Sequence, residues 1–91
     1  MADKWLLAGR RSSIQIIAEI ISISEYTSTT KAVIKEKAKI SHKQSSEYLN
    51  RLIKLDLIKP TTDDNVQNRF QATSKGLQLL ATIQDIKAIL N

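Results

Sequence analysis

Apolar positions recur along this chain at intervals of three or four residues, and the rhythm changes to strict alternation only once. In "SSIQIIAEIISIS", residues 12–24, Ile16, Ile17, Ile20 and Ile21 fall on one arc, with Ile23 or Ser24 continuing it. That spacing predicts a buried helix stripe. The isoleucine content would also suit a strand, but the length and the unbroken arc favour a helix. Ser12 or Ser13 supplies the N-cap, because a short hydroxyl can accept from a first-turn N–H that has no intrahelical partner. "EYTSTT" then breaks the run as a turn-rich cluster. "TKAVIKEKAKI" opens a second, short helix at Thr29 or Thr30, with Ala32, Val33 or Ile34, and Ala38 inward and its lysines outward.

A third helix starts at Ser41, again a capping residue. Ser45, Leu49 and Leu52 share its inner face, with Tyr48 beside them. Across the helix lie His42, Lys43, Ser46, Glu47, Asn50 and Lys54, with Gln44 and Arg51 on the flanks. The helix fades near Asp56, and "LIKP" reads as extended because a residue before proline is pushed off helical geometry. The alternation comes next: in "VQNRFQA", Val66, Asn68, Phe70 and Ala72 face one way and Gln67, Arg69 and Gln71 the other. "LIKPT" and "VQNRFQA" thus form a hairpin about Asp63–Asn65, with Phe70 toward the core and Pro60 on an edge strand.

Thr73 caps the last helix, and Gly76 in its first turn allows close approach of another backbone. Leu77 and Leu80 reach the core. Leu79, Ile83, Ile86 and Leu90 are spaced 4, 3, 4, the pattern of a coiled-coil seam. Either this seam joins two copies, the reading we favour, or the helix folds back on its own domain.

Helix, helix, helix, hairpin, helix is the order of a winged helix. The expected fold is mainly α (α+β): a winged helix-turn-helix of three helices, a two-stranded β-hairpin wing and a C-terminal dimerisation helix. Residues 1–11 form an N-terminal arm, 12–73 the winged helix-turn-helix domain and 74–91 the C-terminal helix. The arm is either loose or lays Trp5 and Leu6 on the domain or on a partner.

Composition narrows the functional classes. With 91 residues the chain makes one domain, and without cysteine it makes no disulfide or thiolate metal site. No apolar run approaches the roughly 20 residues of a membrane helix, so a cytoplasmic protein is expected. The net charge is +5 and is unevenly placed. Residues 31–59 hold eight basic side chains against three acidic ones, and the rest of the chain balances. A concentrated basic face points to a polyanion, most often nucleic acid.

Catalytic chemistry is poorly served. His42 has only sequence neighbours for partners, with no orienting carboxylate in view. Asp63 and Asp64 are explained by a turn, and a single histidine without cysteine makes no first-row metal site. No enzyme activity, cofactor, metal or small-molecule substrate is expected. A double-stranded DNA site accounts for more residues. Gln44 and Asn50 carry paired donor and acceptor amides that suit adenine, while Lys43 and Arg51 reach guanine or phosphate. Ser41, His42 and Ser46 are small enough for a groove-seated helix, and Lys54 lies on the same side. Lys31, Lys35, Lys37 and Lys39 are assigned to phosphates, and Arg69, with Asn65 and Asn68, to the wing and the flanking minor groove. Glu47 repels phosphates; it either accepts from cytosine or points past the groove. The competing reading is a protein-interaction module that recruits an acidic partner through the arm and the 79/83/86/90 seam.

"AKISHKQSSEYLNRLIKLDLI" followed by "FQATSKGLQLLATIQDI" resembles the small archaeal winged-helix DNA-binding proteins with a C-terminal coiled-coil helix. The shared features are a third helix running into an L-x-x-L-x-L-I-like stretch, an aromatic strand residue, T-x-K-G and a leucine-rich helix. The likeness spans residues 12–90, and "TSKGLQLL" is its most specific part. A looser likeness to bacterial multiple-antibiotic-resistance-type regulators rests on the same third-helix rhythm. The resemblance implies a homodimer joined by its last helices and bound to DNA as a transcription regulator or a nucleoid (chromatin) protein. Its contact positions match Ser41 to Gln44, Ser46, Asn50 and Arg51. Two features depart from the family: the last helix stops at Asn91, and Asp56 stands where many winged helices have glycine.

Overall fold

The computed structural model describes residues 12–63 and 66–90; the N-terminal arm, the hairpin tip at Asp64 and Asn65, and Asn91 lie outside them. Among the described residues the order is α1 (Ser13–Ile23), β1 (Thr29–Thr30), α2 (Lys31–Ala38), α3 (His42–Lys54), β2 (Ile58–Asp63), β3 (Val66–Ala72) and α4 (Ser74–Leu90). The antiparallel sheet runs β1-β3-β2, so β2 with Pro60 is an edge strand, as expected.

Each helix begins where a hydroxyl can close it. Ser12 caps α1 in a capping box: its Oγ accepts from Gln15 N at 3.2 Å, and Gln15 Oε1 accepts from Ser12 N at 3.3 Å. Ile16, Ile20 and Ile21 are buried, and α1 stops at Ser24, whose buried hydroxyl donates to the Ile20 carbonyl at 3.0 Å. The Ser24 carbonyl accepts from Ala72 N at 2.9 Å, which ties the helix end to β3.

The sheet differs from the two-stranded wing expected above. Thr29 and Thr30 pair with Phe70 and Arg69, which makes a third strand. Thr30 does double service, since its Oγ1 also caps α2 by accepting from Val33 N at 3.3 Å. A two-residue strand leaves no alternation to read, and its partner is some forty residues away in sequence. The inward face of α2 is narrower than expected: Ile34 and Ala38 are buried, but Ala32 is exposed. The helix ends at Lys39, in the left-handed region at φ 56°, and Ile40 turns back into the core.

Between α3 and β2, Asp56 sits at φ 61°. This is the conformation that favours glycine, and Asp is among the side chains that tolerate it. The turn is stapled to the start of α4. Thr73 Oγ1 donates to the Asp56 carbonyl at 2.6 Å and accepts from Gly76 N at 3.0 Å, so Thr73 caps α4. Gly76 is required there: a Cβ would lie 2.1 Å from the Leu57 carbonyl oxygen.

The core gathers Ile20, Ile21, Ile34, Leu52 and Ile58 under the sheet, with Phe70 and Leu77 packed against it. Helix α4 packs along α1. The expected seam does not form one open stripe on a single chain. Ile83 is buried at 7% exposure, Leu79 and Leu90 are partly buried, and Ile86 is open at 41%. Folding α4 back on α1 claims one side of that stripe and leaves the other free.

Candidate nucleic-acid interface

Helix α3 presents its hydrophilic side outward. Ser45, Leu49 and Leu52 are buried, while Ser41, His42, Lys43, Gln44, Glu47, Asn50, Arg51 and Lys54 are exposed. The local cause is amphipathic spacing acting with a capping box. Ser41 Oγ accepts from Gln44 N, and Gln44 Oε1 accepts from Ser41 N, both at 3.1 Å. The box satisfies one first-turn N–H and leaves others directed out of the helix end, where the dipole favours an anion. The thirteen residues of α3 make a rod about 20 Å long. The inner face is fixed by Leu52 and by Ser45, whose hydroxyl donates to the His42 carbonyl at 2.7 Å.

Two depressions flank the rod. One, of about 460 Å³, lies between α3 and the sheet; Lys31, Ser46, Asn50 and Asn68 rim it over a floor that includes Leu49 and Phe70. The other, of about 200 Å³, lies toward α1 and is lined by Ser13, Gln44, Glu47, Tyr48 and Arg51. Tyr48 closes that side by donating to Ser13 Oγ at 3.2 Å. A contact between residues 35 apart in sequence leaves no local signal, so the Ser13 hydroxyl was legible only as a possible cap.

The lysines of α2 do not act as one row. Lys35 and Lys39 are exposed. Lys31 is half-buried, and its Nζ donates to Ser46 Oγ on α3, so it bridges the two helices of the helix-turn-helix. Lys37 lines the opposite groove, between α1 and α4, and is set apart from the Lys31 side of the helix. The wing differs too. Arg69 is half-buried, with Nε donating to Ser28 Oγ at 2.8 Å and Nη2 to the Ser28 carbonyl at 2.6 Å. Its guanidinium braces the segment leading into β1. Asn68 is exposed at φ 64°, beside the irregularity between Thr61 and Asp63, and it faces Asn50 across the larger depression. Asn65 lies outside the described residues.

The second surface of interest is an open groove of about 430 Å³ between α1 and α4, with Ile14, Ala18, Ile23, Leu80 and Ile83 in its walls. Ile14 at 46%, Ile86 at 41% and Ile89 at 81% exposure leave large apolar side chains uncovered on the same two helices. Among the described residues no cluster of three or more His, Cys, Asp or Glu could hold a metal ion, and no helix is long and apolar enough to cross a membrane.

Comparison with known proteins agrees with this architecture. The model of a family described as winged helix-turn-helix matches residues 10–91. No curated protein matches in sequence. Among solved structures the chain is similar to Sso10a-2, a DNA-binding protein from Sulfolobus solfataricus. That match has a TM-score of 0.75 and 20% identity, over 87% of this chain and 81% of that one. It is also similar to the PcaV transcriptional regulator from Streptomyces coelicolor, solved with its natural ligand. There the TM-score is 0.71 and the identity 15%, over 99% of this chain and 64% of PcaV. At these identities the two structures establish a shared fold.

Proposed function

This chain belongs to the winged helix-turn-helix family, and from that premise we propose that it binds double-stranded DNA with α3 in the major groove. The observation that carries this is the uncovered polar face of α3, which combines an open helix N-terminus with Lys43, Asn50, Arg51 and Lys54. Lys35 and Lys39 add exposed positive charge on α2 and the turn that follows. Lys35, Lys39, Lys43, Arg51 and Lys54 would then meet the phosphates that flank a docked helix, while Lys31 bridges to α3 and Lys37 lies on the opposite groove. Both structural neighbours are DNA-binding or transcriptional proteins, which favours a regulatory or nucleoid role inside the cell, and a binding function rather than an enzymatic one.

The apolar remainder of α1 and α4 supports a homodimer. Ile14, Ile86 and Ile89 lie on the two helices that border the open groove, and a second copy would bury them. The same observation favours the second reading, in which this face takes a different protein.

The test is fluorescence anisotropy with duplex DNA across a salt series. Log K should fall linearly with log[salt], with a slope of about −0.9 per phosphate neutralised. Replacing Lys43 and Arg51 by alanine should weaken binding roughly tenfold or more and flatten that slope by about two phosphates' worth. An absence of binding at ~50 mM salt would sink the DNA reading.

A further inference from the structure

Capping and packing leave α3 fewer free side chains than its sequence offers. Gln44 commits its Oε1 to the Ser41 N–H. Ser46 is engaged by Lys31, and Ser45 is buried. Opposite the Ser45–Leu49–Leu52 stripe, at 3.6 residues per turn, runs a single line of Lys43, Glu47, Asn50 and Lys54. All four are exposed. Three of them suit a DNA surface by charge or by amide chemistry. Glu47 does not, and it stands in the middle of the line, with Lys43 one turn before it and Lys54 two turns after.

A carboxylate is an acceptor only and is repelled by phosphate. If α3 enters the groove by this face, Glu47 has base edges in front of it. Guanine shows two acceptors there, and thymine an acceptor and a methyl group. Adenine's amino group stands beside the N7 acceptor, so a carboxylate that takes the one meets the lone pair of the other. The N4 amino group of cytosine has only C5–H beside it on its own base, the nearest acceptor being O6 of the paired guanine, and it is the donor that Glu and Asp side chains accept from.

We infer that Glu47 makes this chain sequence-selective by accepting a hydrogen bond from cytosine N4, and penalises other bases by leaving its charge unpaired against them. Lys43 and Lys54 hold the helix against the backbone on either side, and Asn50 reads the neighbouring base. This rests on the DNA-binding reading above and deepens it from DNA in general to base-specific recognition. The competing role for Glu47 is an exposed i, i+4 pair with Arg51, which contributes little to a helix and predicts no effect on base preference.

The experiment is selection from a randomised duplex library at ~100 mM salt with the full chain, as wild type, Glu47→Ala and Glu47→Gln. Circular dichroism confirms the fold of each, and anisotropy on random duplex runs in parallel. Wild type should enrich sites with one invariant C·G pair, favoured roughly tenfold to hundredfold over the other pairs. In Glu47→Ala that column should become degenerate, while affinity for random duplex holds or rises. In Glu47→Gln it should move toward adenine, because glutamine pairs with N6 and N7. A wild type that binds but enriches no cytosine, or a cytosine column equally sharp in both variants, overturns the assignment and leaves DNA binding in place. Failure of all three proteins to hold even random duplex overturns the DNA-binding reading, and Glu47's role with it.

Discussion

Helix α3 buries Ser45, Leu49 and Leu52 and gives solvent little but polar and charged side chains, whereas α4 buries Gly76, Leu80 and Ile83 and still leaves Ile86 and Ile89 uncovered. Both are long helices packed on the same core. On α3 the apolar positions are just enough to hold the helix down, so the rest of its surface is available to a polar ligand. On α4 the apolar side chains exceed what one chain covers: Leu80 and Ile83 line the groove toward α1, while Ile86 and Ile89 stay exposed. Exposed charge suits a polyanion and exposed hydrocarbon suits protein, so under the proposed reading the two faces would take different partners.

Substitutions on the two helices break or sharpen this contrast. The largest effect is expected from Leu52→Ala on the inner face of α3, where the side chain is fully buried. It should cost about 2–5 kcal/mol in denaturant unfolding, and DNA affinity should be lost only as the fold is lost. Next comes Ser41→Ala, which removes the hydroxyl of the α3 capping box. A loss of about 1 kcal/mol and some fraying of α3 are expected, read as reduced helicity together with weaker DNA binding. The smallest change in stability should follow Ile89→Ser, since that side chain is 81% exposed. Unfolding of the monomer should stay within about 0.5 kcal/mol of wild type, and under the proposed homodimer the mass in solution should fall toward that of one chain. If Ile89→Ser leaves a dimer intact, the uncovered face of α4 is not what joins the copies.

Much of the fold was legible because its causes are local. The caps at Ser12, Thr30, Ser41 and Thr73 each act within three or four residues of themselves. The apolar stripes of α1 and α3 are periodic over two turns or more, and Gly76 announced a close approach that the Leu57 carbonyl then makes. What escaped was long in range or short in extent. Strand β1 has two residues and pairs across some forty. Arg69 looked like a wing contact by composition, yet Ser28, 41 residues earlier, takes two of its donors. Lys31 and Lys37 are alike in sequence and part ways only because α2 lies between α3 on one side and the α1–α4 groove on the other.

By itself the sequence determined which segments form helices, where each begins to within a residue, and that one stretch carries the chain's positive excess, because capping, periodicity and charge count depend on near neighbours alone. Only the tertiary structure decided which lysines and arginines face solvent and that Lys31 and Arg69 act as struts. It also decided which apolar residues of α4 are covered. Those outcomes depend on what the far ends of the chain bring alongside, and no local pattern encodes it.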